Sequence, residues 1–365
     1  MNIMKTPKTV DVDVTNQCNL RCSYCYHFES PGDVSRDLPI AEWLQFFEEL
    51  GRCAVMNVSL AGGEPFLRRD LREMIAGMVK NRMRFSILSN GTLITDDMAA
   101  YLKSTHRCDH VQVSIDGASP GVHDSCRGKG NFERAVAGIR TLQRHQVPVA
   151  VRVTIHKHNV DDLDQIAHLL LDELKLGSFS TNSASPMGLC RANAARVALD
   201  TTESQQAMET LLRLNATYNG RIGAQAGPLA EARAWKEMEL ARREGKPGLP
   251  GRGHLQGCGG VFSKIAVRAD GVLAPCNMMS HIELGRINQD DLREVWHTHP
   301  ELERLRQRRQ IPLSDFDYCR DCAYHLYCTG NCPATAFTHH QLENHPSPEG
   351  CLRLFLEDGG KIPGV

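Results

Sequence analysis

The chain has 365 residues, 41% of them hydrophobic, enough for one large domain or a domain with a smaller companion. Lys and Arg number 42 against 43 Asp and Glu, so a net charge of -1 gives no electrostatic footprint for nucleic acid. No apolar stretch has signal-peptide length or approaches the ~18 residues of a membrane span, so a cytoplasmic protein without a membrane partner is expected.

Fourteen cysteines are many for a cytosolic chain, and ten of them fall at positions 18–25 and 258–351. Clustered thiols in a reducing compartment point to metal or redox chemistry rather than disulfides. The first group follows residues 10–15, whose alternation predicts a strand. The loop after it, Thr15-Asn16-Gln17-Cys18-Asn19-Leu20-Arg21-Cys22-Ser23-Tyr24-Cys25-Tyr26, has the spacing C-x3-C-x2-C. Three thiolates on one short loop suit a soft metal or an iron–sulfur cluster. A four-iron cube would keep one iron without a protein ligand, open to substrate. Zinc with His27 as fourth ligand is the alternative on spacing alone.

A helix is predicted over 38–50, then a strand over 54–60 that ends in Ala61-Gly62-Gly63-Glu64-Pro65. Helix 69–80 leads to strand 85–88, ending in Ser89-Asn90-Gly91. Helix 95–104 leads to strand 110–115, which runs through Ser114 to Asp116-Gly117. Helix 131–145, strand 149–155, helix 160–172 and a sixth strand over 178–182 complete six β/α units. Strict alternation argues for a parallel sheet with right-handed crossovers, either flat or curved into a partial barrel. Small and polar residues gather at the carboxyl ends, on the same rim as the cysteine loop. Glycines there let a ligand approach the backbone.

Beyond the sixth strand, helices are expected at 202–218 and 228–244, and Gly and Pro crowd 245–254, placing a boundary near 250. Cys190 is either a buried small residue or a hydrogen donor to a substrate radical; His156 and His158 face either substrate or solvent. The last segment holds Cys258, a hairpin over 265–274 turning at Asp270-Gly271, and Cys276. Cys319-x2-Cys322-x5-Cys328-x3-Cys332 and Cys351 follow. Seven thiols exceed one tetrahedral site and suit two clusters; a pair of zinc ribbons is the other reading.

The three-cysteine loop together with Gly62-Gly63-Glu64-Pro65 resembles the signature of radical S-adenosylmethionine (radical SAM) enzymes. The resemblance implies a partial (β/α)6 barrel over 1–190, a helical connection over 191–257 and a small domain over 258–365. It implies that Cys18, Cys22 and Cys25 hold a [4Fe-4S] cluster with an open iron. Gly62, Gly63 and Glu64 would hold the methionine amino group, and Ser114 and Arg127 the carboxylate. Asn90 would serve the ribose or methionine end, Tyr24 the adenine edge, and Val153 the adenine packing. The seven later cysteines resemble the SPASM extension. By that resemblance Cys258, Cys276 and Cys332 hold one auxiliary [4Fe-4S] cluster, and Cys319, Cys322, Cys328 and Cys351 a second. The implied chemistry is reductive cleavage of S-adenosylmethionine to a 5′-deoxyadenosyl radical, fed by an external reductant such as flavodoxin or ferredoxin. Hydrogen abstraction from a ribosomally made peptide is the expected use.

A small-molecule dehydrogenase, a haem or cofactor biosynthesis enzyme, a sulfatase-maturing enzyme and a zinc-binding interaction protein are the alternatives. Sulfatase maturation is disfavoured because Asn277 stands where such enzymes place an aspartate, and an eighth auxiliary cysteine is missing. About ten residues precede the first strand, leaving no room for a winged-helix domain, so either a separate leader-recognition protein or the barrel itself is expected to hold the peptide.

Overall fold

The computed structural model describes residues 3–28 and 37–365. Seven parallel strands form the barrel part of one sheet: β1 Thr9–Thr15, β2 Asn57–Gly62, β3 Arg84–Ser89, β4 Cys108–Ser114, β5 Val149–Ile155, β6 Phe179–Ser183 and β7 Ile222–Ala224. Three more, β8 Lys264–Val267, β9 Val272–Ala274 and β10 Gly285–Arg286, extend it on the other side of β1. The order is β10-β9-β8-β1-β2-β3-β4-β5-β6-β7.

The helices between the strands are α1 Ile40–Arg52, α2 Leu71–Lys80, α3 Asp96–Ser104, α4 Pro120–Arg127, α5 Asn131–Arg144 and α6 Leu163–His168. Four more follow β6: α7 Gly188–Ala192, α8 Ala194–Val197, α9 Thr201–Thr217 and α10 Pro228–Arg243. Their apolar stripes cover one face of the sheet. Trp43, Phe46 and Phe47 of α1 and Met74 and Ile75 of α2 are wholly buried against Val10, Val12, Leu60 and Ile87. Each such side chain contributes about 1.5–3 kcal/mol by leaving water. Because a strand alternates, Asp11, Asp13 and Thr15 lie on the opposite, inner face.

Among the departures from the sequence reading, three concern the barrel strands and the sixth helix. The second strand begins at Asn57 rather than at 54, because Ala54 takes a left-handed φ of 57° that ends the preceding turn. The sixth helix gives way to a π-helical turn over Leu169–Glu173. A seventh strand, three residues long and parallel to β6, lies in the segment expected to be helical. Such a short strand leaves no period to detect.

Candidate active site

The cysteine loop leaves the carboxyl end of β1 and is pinned on three sides. Gly63 N–H donates to Thr15 O and Glu64 N–H to Gln17 O, both at 2.8 Å. Ser23 N–H donates to Cys126 O at 3.0 Å, at the end of α4, and Cys190 N–H to Cys25 O at 3.2 Å, from α7. The carbonyls of Cys25, Tyr26 and Phe28 also crowd Gly188, so that a Cβ there would stand 2.6–2.9 Å from them at a φ of +54°. The course of the loop that carries the thiols is therefore set by backbone contacts.

Glu64 is fully buried and accepts from Ser89 Oγ at 2.8 Å, Asn90 N–H at 2.8 Å and Phe66 N–H at 3.2 Å. Burial pushes its carboxyl up to about 7 while those donors pull it down. Asn90 aims its Nδ2 at Cys18 Sγ, 4.0 Å away, and at Asn19 Oδ1, 2.9 Å away. Ser114 ends β4 opposite Arg152 of β5.

A buried ion pair lies beneath the loop. Arg127 Nε donates to Asp116 Oδ2 at 2.5 Å, and its Nη1 lies 4.0 Å from Cys22 Sγ. Asp116 also accepts from the Tyr24 hydroxyl and from Thr154 N–H at 2.8 Å. Burial alone would raise the Asp116 carboxyl, but Arg127, His156 and His123 hold it below the usual carboxylate range. The Tyr24 ring stacks on His156 with centroids 5.3 Å apart. His156 is wholly buried there, whereas His158 is exposed. Cys190 is 1% exposed and packs with Tyr24, Cys126 and Val197; burial lifts its thiol to about 11. Val153 is fully buried in the strand–helix core, so its side chain turns away from the inner face that Arg152 and Thr154 share.

The cysteines gather in three sets. Burial lifts Cys22 to about 12, with Cys25 and Cys18 adding like charge. Burial does the same for Cys276, with Cys258 and Cys332 as charged neighbours. Burial raises Cys319 to about 12 beside Cys328, Cys351 and Cys322. Four of these sulfurs accept a backbone N–H from two residues on. The donors are Leu20 to Cys18 at 3.4 Å, Gly260 to Cys258 at 3.3 Å, Tyr324 to Cys322 at 3.5 Å and Gly330 to Cys328 at 3.4 Å. Such donors offset charge on cluster-ligating thiolates. His27, the alternative zinc ligand, instead turns Nε2 to Asn16 Oδ1 at 2.9 Å and Nδ1 toward Asp13 Oδ2 at 3.8 Å. Among the described residues no three His, Cys, Asp or Glu side chains converge as a single metal ion requires. The three sets are all thiol, the donor chemistry that suits iron–sulfur clusters.

Sequence reading missed Asp116 and His156 as one unit with Arg127, because they meet from two strand ends and the end of helix α4. The signal available was the polar Asp116-Gly117 at a strand terminus.

A groove of about 610 Å³ opens between the ends of β5 and β6, the start of α9 and α10, and the C-terminal segment. Ile155, Ser183 and Ala184 form the barrel side, and Cys351 lies in the opposite wall. Trp235 and Phe355 line it with ring centroids 4.7 Å apart.

A parallel partial barrel with three thiols on its first loop, joined to a cysteine-rich extension, defines an iron–sulfur enzyme of the radical type. The Radical SAM superfamily matches over residues 12–170 and the SPASM iron–sulfur cluster-binding domain over residues 258–323. The chain belongs to the radical SAM superfamily and carries a SPASM domain. Its cofactors are accordingly S-adenosylmethionine, a [4Fe-4S] cluster and auxiliary iron–sulfur clusters. It is 29% identical to pre-heme d1 synthase of Dinoroseobacter shibae, covering 97% of this chain and 88% of that protein. It is 25% identical to PqqA peptide cyclase of Ruegeria pomeroyi, covering 87% and 79%. In fold it resembles SuiB of Streptococcus suis bound to precursor peptide SuiA, with a TM-score of 0.73 at 15% identity over 96% of this chain and 77% of that one. Among the described residues no helix is long and apolar enough to cross a membrane.

Proposed function

We propose that this enzyme modifies a peptide that presents a basic side chain. The observation that carries this reading is the lining of the groove. It includes Glu231, Glu349, Glu357 and Asp358 and, among the described residues, no Lys, Arg or His; Arg353 pairs with Glu357 at 2.7 Å and His339 with Glu349 at 3.2 Å from outside the lining, which leaves Glu231 and Asp358 without a cation among the described residues. Burial and the like charge of Glu349 push Glu231 up to about 7. A lysine or arginine arriving there would relieve both costs. A tetrapyrrole, which carries several carboxylates, would be repelled. The aromatic walls suit the apolar part of a peptide residue.

In this reading Cys18, Cys22 and Cys25 hold the cluster with the open iron. Cys258, Cys276 and Cys332 hold one auxiliary cluster, and Cys319, Cys322, Cys328 and Cys351 a second. Gly62, Gly63, Glu64, Asn90, Ser114 and Arg127 are the candidates for holding S-adenosylmethionine. When bound, that cofactor supplies a carbon radical able to remove a hydrogen atom from an unactivated C–H bond. The chain's own part is positioning: backbone fixes the thiols, Asp116 orients Arg127 beside Cys22, and the groove orients substrate. Tyr24 and Cys190 then serve as packing under the loop, and a separate leader-recognition protein and a flavodoxin- or ferredoxin-type reductant are its partners.

A second reading follows from the relatives, since pre-heme d1 synthase is a tetrapyrrole enzyme by name. One experiment separates the two. Anaerobically reconstituted protein, reductant and S-adenosylmethionine are supplied with either synthetic lysine-bearing peptides, including any short peptide encoded beside the gene, or an iron–tetrapyrrole carrying free carboxylates. Mass spectrometry should find the peptide altered and the tetrapyrrole unchanged. The reverse result overturns the proposal.

A further inference from the structure

Arg308, just past the helix Pro300–Gln307, is wholly buried. Its Nε donates to Gln256 O at 3.0 Å, and its Nη2 donates to His345 O at 3.1 Å and Asn331 O at 3.3 Å. Gln256 stands two residues before Cys258, and Asn331 directly before Cys332. One side chain therefore fastens together the two segments that bring these thiols into the first auxiliary set. All three acceptors are neutral carbonyls. Glu343, the carboxylate that acts on Arg308, is taken up by His281 at 2.8 Å and Arg304 at 3.0 Å. The remaining nitrogen, Nη1, is buried with no partner among the described residues. A guanidinium stays charged in a protein, and burying one without a bound carboxylate costs stability. Burial lowers Arg308, and negative charge on Cys332 and then on Cys258 opposes that shift. An unbalanced cation and an unused donor beside thiols that must ionise to hold iron fit a cluster of net negative charge.

We propose that Arg308 is the internal counter-ion of the auxiliary cluster held by Cys258, Cys276 and Cys332, and that its charge raises that cluster's reduction potential. The inference rests on the assignment of those three cysteines to one cluster. Reduction adds an electron to a group whose thiolates are already negative. A fixed positive charge that water cannot screen favours the reduced form. Other cations are placed to do less. Lys264 also acts on Cys258, but it is exposed and drawn to Asp11 at 3.3 Å. Arg353, which acts on Cys319 and Cys322 of the second set, is partly exposed and paired with Glu357 at 2.7 Å. Arg308 is thus a positioning and charge-balancing residue whose effect belongs to the first set.

The test is a redox titration of the anaerobically reconstituted full chain with dithionite, followed by electron paramagnetic resonance without any peptide. Cys276→Ala should remove the first auxiliary cluster, about four irons per chain, and so identify its midpoint. Arg308→Gln should lower that midpoint by about 59 mV, a tenfold change in the one-electron equilibrium, and leave the other two in place. Arg308→Lys, which keeps the charge, should restore most of the shift. Arg306→Gln is the control: that buried guanidinium bonds Val261 O at 2.8 Å, and the charge acting on it is Glu303 rather than a cysteine, so the midpoint should stay. If Arg308→Gln loses the cluster or the fold outright, Arg308→Lys decides. Retained iron and midpoint support the counter-ion, whereas equal loss in both variants makes Arg308 a clamp only and overturns the proposal. An unchanged midpoint in Arg308→Gln, or an equal shift from Arg306→Gln, also overturns it. If Cys276→Ala removes neither iron nor a midpoint, the ligand assignment falls and the proposal with it. If it removes both while Arg308→Gln moves nothing, the assignment stands and the proposal alone falls.

Discussion

Gly63→Ala tests whether the cysteine loop is set by backbone contact. A Cβ at position 63 would lie 2.1 Å from Gln17 O, 2.5 Å from Gln17 C and 3.1 Å from Cys18 N. All three are backbone atoms, so no side chain can swing away. Restoring an ordinary contact requires the loop to move by about 1 Å. That motion breaks the Gly63 N–H to Thr15 O and Glu64 N–H to Gln17 O bonds, both 2.8 Å. Two such bonds are worth about 1 kcal/mol each, and overpacking adds about 1–3 kcal/mol, so the total loss is about 3 kcal/mol or more. The displaced atoms adjoin Cys18, so metal content should suffer along with stability. Denaturant melts of the cluster-free chain would report the stability change, and iron and sulfide per chain after anaerobic reconstitution the loading. Gly121→Ala is the control, since its Cβ would meet only Ser119 Oγ at 3.8 Å. If Gly63→Ala keeps the parent's midpoint and iron content, the loop is not held as described.

Other outcomes follow from the same geometry. Cys22→Ala should abolish S-adenosylmethionine cleavage, whereas Cys322→Ala should retain some cleavage and lose altered peptide; equal loss of cleavage counts against the assigned division of labour. Glu231→Gln should weaken binding of a lysine-bearing peptide by about tenfold and reduce its salt dependence, read by Trp235 fluorescence, while a neutral analogue is unaffected. Asp116→Asn leaves Arg127 buried without a counter-charge and should cost about 3–5 kcal/mol at pH 7. Because the Asp116 carboxyl is held below its unfolded value, that contribution is present above about pH 4 and is lost as pH falls through the lower folded value. The gap between parent and variant in urea melts should therefore close in acid. A gap that is independent of pH would show that Asp116 acts by packing alone.

What could be read from the sequence was what repeats or stands close together in the chain. Strand β5 was expected over its full span, because its alternation is unbroken from Val149 to Ile155. The seven later cysteines stood out by their spacing, and their division into two ligand sets came from the resemblance to the SPASM extension. What could not be read depends on meeting at a distance. Helix α4, which carries Arg127, is short and begins with Pro-Gly, so no apolar stripe announces it. Val153 was placed near the adenine by resemblance, which carries over a position in the chain and not the direction of its side chain. Neighbouring residues in a strand face opposite ways, and Val153 belongs to the helical side.

Strand β8 pairs in parallel with β1, from Thr9 opposite Lys264 to Val12 opposite Val267. The strand that leads into the first cysteine loop is therefore also the strand on which the extension is built. A chain ending before residue 258 would expose the whole edge of β1, with its valines, as a template for pairing with other chains. Such a truncation should aggregate rather than yield a smaller, simpler enzyme. The parts cannot be exchanged between relatives as cassettes without rebuilding this ladder. Any change in the distance between the first cysteine loop and Cys276 has to be made within one hydrogen-bonded sheet, where a shift of register moves every side chain along with it.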